Sequence, residues 1–175
     1  MNPFKIDQFE FVGLLLAQRG ATILSFTART DARLKKTGCP YKGVQKVAKV
    51  NALVNFHYDE GVLRRLAKEG RSADEFRQGS SWHTPILRGD GSLTPFCQHK
   101  TAGGLYLRVM ALKTLEESYE TEDGQVLTRA DVEPWLSKEC HYENQGLDAP
   151  LVFKTYAVAN ILTITVEGQT YHVAA

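Results

Sequence analysis

Cysteine is scarce in this chain: Cys39, Cys97 and Cys140 are all there is in 175 residues. An odd number at such wide spacing does not build the disulfide framework of a small secreted domain. Long apolar runs are also missing. The short run from Val12 to Ala17 falls well below the roughly 18 residues of a membrane span. Asp7 and Glu10 precede it where a secretory signal would carry bases. A cytoplasmic protein is therefore expected.

Excess charge of either sign is absent. Lys and Arg number 21 against 20 Asp and Glu, for a net charge of +1. A protein that coats nucleic acid by bulk charge is excluded, and any electrostatic partner must be met locally. There is no Walker loop, no dinucleotide fingerprint, no nucleophile elbow, no repeat and no low-complexity linker. What remains is 43% hydrophobic and 23% charged, an ordinary globular composition. Its length suits one core, so residues 1–175 are read as a single domain.

Period-2 patterning dominates. Phe9 to Ala17 is apolar without a clear period and is read with Ala21–Thr30 as an opening hairpin around Arg19-Gly20. Val44 to His57 alternates again. Val44, Lys46, Ala48, Val50, Ala52, Val54 and Phe56 fall on one face, and Gln45, Lys49, Asn51, Asn55 and His57 on the other. A helix follows, capped by Asp59 and ended by Gly70, with Val62, Leu63 and Leu66 as its apolar stripe. Ser72 and Glu75 form a capping-box pattern. The segment SSWHTP and the Gly89-Asp90-Gly91 turn read as loop. Leu93–Gln98 and Leu105–Leu115 pair as a second hairpin. Thr128 and Asp131 cap a short helix, and strands return from Leu151 to Val173. The expectation is a mainly β (α+β) domain: a small barrel or strongly bent antiparallel sheet with two or three short inserted helices.

One stretch stands out. From Ala32 to Tyr58 the chain carries Arg33, Lys35, Lys36, Lys42, Lys46 and Lys49 and no acid. Lysines beside a turn punctuated by Gly38, Pro40 and Gly43 supply side-chain charge and free backbone N–H groups, the two ingredients of phosphate recognition. Asn51, Asn55 and His57 continue a polar track along the strand, Arg64 and Arg65 extend it on the helix, and Tyr41 or Tyr58 could stack a base. Tyr106 and Trp82 are further candidates for stacking. The same lysines also read as a solvated edge protected against aggregation.

The remaining constellations carry less. Cys97-Gln98-His99, Cys140-His141 and His83 are zinc-ligand types at the wrong spacing for a familiar site, so no metal and no cofactor is assigned. Glu116, Glu117, Glu120, Glu122 and Asp123 read as an acidic turn. No nucleophile, base and charge stabiliser converge, and no catalytic residue is assigned.

The segments KKTGCPYKGVQKVAKVNALVNF, VLRRLAKEG, TPFCQHK, GGLYLRV and NQGLDAPLVFKTY together resemble an uncharacterised family of small phage-associated proteins. The resemblance implies a phage or mobile-element setting in the host cytoplasm, and no residue roles. The reading that follows is a non-enzymatic nucleic-acid-binding protein, selective for single strands or tolerant of sequence. The alternative is a counter-defence protein that sequesters a phosphorylated nucleotide or inhibits a host protein.

Overall fold

The computed structural model describes residues 4–72, 81–137 and 153–174. Its strands are β1 (Phe4–Ile6), β2 (Thr22–Asp31), β3 (Gln45–Val54), β4 (His83–Leu87), β5 (Leu93–His99), β6 (Leu105–Glu120), β7 (Val126–Leu127), β8 (Phe153–Ala157), β9 (Ile161–Val166) and β10 (Gln169–Val173). All belong to one sheet, ordered β1-β10-β9-β2-β3-β6-β5-β4, with β7 and β8 also paired to β6. The pairs are antiparallel except β1 with β10. This is a mainly β fold built on a bent sheet that does not close.

The bend has a local cause. Along β3 and β6, Lys49 opposes Glu116 while Val50 opposes Thr114, leaving Leu115 as an extra residue. Asn51 and Ala52 oppose Lys113 and Ala111, which leaves Leu112 extra in the same way. Two bulges so close together curl the long strand. At Tyr106 and Leu107, β6 carries β5 on one edge and β8 on the other. At Met110 it carries β3 and β8. A strand has two edges, so β8 keeps one while β5 succeeds β3 along the other. The junction where β3 stops and β5 begins is the feature that positions the site.

Alternation then sorts the side chains. Leu24, Phe26, Val50, Ala52, Val54, Leu107, Val109 and Ile164 form the main core. The helix α1 (Gln8–Leu16) covers it with Phe11 and Leu15, both fully buried, and the Phe11 ring meets Phe96 edge-on at 6.3 Å. This helix replaces the expected first arm of a hairpin. The deciding signal was Asp7 and Glu10, which form a reciprocal capping box: Glu10 N–H donates to Asp7 Oδ1 at 2.8 Å, and Asp7 N–H donates to Glu10 Oε1.

On the opposite face, at the end of β3, α2 (Glu60–Lys68) packs Val62 and Leu66 against Leu53, Phe56 and Met110. Asp59 caps it as expected, accepting from Val62 N–H at 3.1 Å. At the other end of β3, α3 (Arg129–Val132) joins Val44, Tyr119, Leu127 and Leu136, with its Thr128–Asp131 capping box formed. The segment read as loop at SSWHTP holds the start of β4. Among the described residues it pairs only with β5, and such an edge strand tolerates Pro85 because one side of the ladder needs no N–H. The expected capping box at Ser72 to Glu75 runs outside the described residues, as does the strand start at Leu151 and Val152.

Candidate ligand site

The basic stretch does not stay together. Lys35, Lys36 and Lys42 sit in the connection before β3, along an open groove of about 820 Å³. That groove is also lined by Asp31, Glu120 and Glu122, and the Glu122 side chain fills the space a Cβ on Gly43 would need. The glycine turn read as a phosphate cradle therefore faces a carboxylate. Tyr41 lies beside this groove with its ring edge-on to Trp135 at 5.9 Å.

Further along, Lys46 points to the core face and its Nζ lies 3.4 Å from Glu117 Oε2. Glu117 also accepts from Arg129 at 3.1 Å. Lys49 and Asn51 face the other way. Lys49 stands directly across from Glu116 on β6, and Asn51 Oδ1 accepts from the Ser25 hydroxyl at 2.6 Å. The acidic turn and the basic strand noted separately in the sequence are thus register partners, with Arg29 reaching Glu120 at 3.4 Å.

Asn55, His57 and Tyr58 lie at the far end of β3, and Arg64 and Arg65 follow on α2, where Arg65 pairs with Glu69 at 3.6 Å. Ten strand residues at about 3.3 Å each put this group about 30 Å from the Lys35–Lys42 turn. The expected continuous track is two separate clusters.

The second cluster acquires partners that no single stretch of sequence announces. Register pairs His83 with His99, Cys97 with Tyr106, and Arg108 with Thr155. Alternation puts all six side chains on one face, beside the β3–β5 junction. His83 and Tyr106 rings are 4.9 Å apart, His83 and His99 5.2 Å, and Trp82 and His99 6.2 Å. His57 and Tyr58, centroids 4.1 Å apart, approach from the β3 side. Trp82 is largely open to solvent and Tyr58 partly so. The sequence clue was the period-2 spacing of His83-x-Pro85, Cys97-x-His99 and Tyr106-x-Arg108.

Between the two ring groups lies a small cavity of about 30 Å³, lined among others by Asn55, His57, His83, Cys97, Arg108 and Thr155. Burial, then the nearby His99 and Arg108, lowers the His83 pKa below 6.5. Burial pushes the Cys97 thiol up to about 11, against the pull of Arg108, which rules it out as a thiolate nucleophile near neutral pH. Burial also lowers Arg108, partly offset by Cys97, yet a guanidinium stays charged. His99 Nδ1 accepts the N–H groups of Thr101 and Ala102 at 3.2 and 2.9 Å. Among the described residues no three His, Cys, Asp or Glu side chains converge as metal ligands, and Cys140 and His141 lie outside them. No described helix is long and apolar enough to cross a membrane.

No family model, curated protein or solved structure matches this chain.

Proposed function

We propose that the protein binds single-stranded nucleic acid at the ring-and-arginine end of its sheet. One observation carries this: Trp82, His83, His99 and Tyr106, from the start of β4 and from β5 and β6, cluster on one sheet face beside Arg108. A sheet face with solvent-open rings offers platforms on which bases stack whatever their sequence, and cations beside them meet the backbone. Lys100, directly after His99, is an exposed cation beside the rings, and Arg64 on α2 is exposed as well. The basic stretch plays a reduced part, because Lys46 is engaged by Glu117 and Lys49 faces Glu116. The likeness to small phage-associated proteins supports a role in an infected host's cytoplasm.

The compactness of the cluster favours a second reading, in which the ligand is a single phosphorylated nucleotide held in a host-defence conflict. Fluorescence anisotropy with labelled strands of one to twelve nucleotides at two salt concentrations separates the two. Affinity that grows with length and falls steeply with salt supports the strand reading. Affinity that is already complete with a mononucleotide supports the second. Absence of binding to every probe overturns both and leaves a host protein as the partner to seek.

A further inference from the structure

Asn55 occupies an unusual position at the β3–β5 junction. It is 1% exposed, and its backbone is left-handed at φ 55°. Its Nδ2 is committed, donating to Gln18 O at 2.7 Å and Gly20 O at 3.3 Å. Its Oδ1 is buried with no hydrogen-bond partner among the described residues. A buried amide oxygen left unpaired is costly, so such an atom calls for a donor from outside the protein. Asn55 lines the 30 Å³ cavity together with His83, Arg108 and Thr155.

Those neighbours restrict what the donor can be. Arg108 is a cation, which disfavours an ammonium group as the ligand. Arg108 also offers only donors, five N–H groups in a planar fork, so the ligand's adjoining atom must be an acceptor. The cavity has room for about one water-sized group, so only a protruding atom enters it. A neutral donor that protrudes, beside an acceptor, on a planar body that can lie among rings describes the amino edge of a nucleobase.

Resting on the nucleic-acid reading above, we propose that this cavity reads the exocyclic amino group of adenine or cytosine. Asn55 Oδ1 accepts the amino proton, and Arg108 donates to the unprotonated ring nitrogen beside it. Thymine and uracil present carbonyl oxygens at the protruding positions, and these would face Asn55 Oδ1 lone pair to lone pair. On guanine's Watson–Crick edge the ring nitrogen beside the amine carries a proton and would face Arg108 donor to donor.

The test leaves the protein unaltered, because Asn55 also holds the chain at Gln18 and Gly20 and its variants disturb the fold. Affinity is measured for octamers of dA, dC, dT and abasic sites, and for a dA octamer in which purine, lacking the amine, replaces adenine. The expected result is dA and dC tighter than dT by about tenfold, with purine substitution costing a similar factor. Equal affinity for the amino and amine-less octamers, with binding itself intact, overturns base reading at this cavity and leaves the nucleic-acid reading standing. No binding to any octamer overturns both.

Discussion

Lys46 Nζ lies 3.4 Å from Glu117 Oε2, with both side chains largely withdrawn from water at 9% and 15% exposure. The pair joins the basic strand to the acidic end of β6, and Arg129 extends it to Glu133 at 2.9 Å. Removing one partner of such a pair leaves a charge in a poorly solvated place. We expect Lys46→Met and Glu117→Leu each to lower stability, and the double variant to lose less than their sum. A coupling of about 1–3 kcal/mol is expected in a double-mutant cycle followed by urea unfolding. Strict additivity would show that the pair is not an energetic unit.

The two ends of β3 make opposite predictions for binding. Trp82 is 66% exposed, so Trp82→Ala should leave the melting temperature nearly unchanged. It should weaken a short single strand by about tenfold, the scale of one lost stacking contact. The triple variant Lys35→Ala, Lys36→Ala, Lys42→Ala, altered about 30 Å away, should change the affinity for a trinucleotide by less than about twofold. The opposite pattern, with lysine removal abolishing binding and Trp82→Ala harmless, would return the site to the glycine turn.

This division shows which parts of the molecule can be read from sequence. Strand alternation in β2 and β3, the Asp59 cap and the Thr128–Asp131 box are local, and the chain forms them as its residues suggest. Phe9 to Leu16 is apolar at nearly every position, so period could not separate helix from strand there, and only Asp7 with Glu10 carried the answer. The site was hidden for a different reason. His83, Cys97, Tyr106 and Thr155 become neighbours through registers set by the pairing of four strands, and no linear spacing encodes that. Basic residues that look continuous in sequence were divided by strand parity, with Lys46 on one face and Lys49 on the other, and by the length of β3.

His83 gives the ring cluster a pH signature. Burial first, then the nearby His99 and Arg108, holds its pKa below 6.5. Just below pH 6.5 the unfolded chain therefore binds more protons at this site than the folded one. Stability from His83 is fully present above that pH and is lost as pH falls through the window down to its folded pKa. An NMR titration of the ring should give a midpoint below 6.5, and His83→Gln should flatten the slope of Tm against pH between about 5 and 7. A midpoint at or above 6.5 would contradict the assigned burial.

Cys97 and Cys39 should separate cleanly under alkylation. Cys97 is 2% exposed and its thiol is pushed up to about 11, whereas Cys39 is partly open. At pH 8 roughly one Cys97 side chain in a thousand is thiolate, and that fraction is also shielded. Iodoacetamide followed by peptide mapping should mark Cys39 in the native protein and Cys97 only after unfolding. Rapid native labelling at Cys97 would mean that the β3–β5 junction opens.

Asn55 combines two separable contributions to stability. Its amide ties the β3 end to Gln18 and Gly20, and its left-handed backbone is a conformation that asparagine tolerates better than most residues. Asn55→Ala loses the hydrogen bonds and adds backbone strain, for an expected cost of about 2–3 kcal/mol. Asn55→Gly loses the same bonds but meets φ 55° without a Cβ, so it should be about 1 kcal/mol less damaging. That order runs against the usual ranking in which glycine is the more destabilising substitution. Urea unfolding of the two variants decides it: if Ala proves as stable as Gly, the left-handed backbone contributes nothing and the amide bonds carry the whole effect.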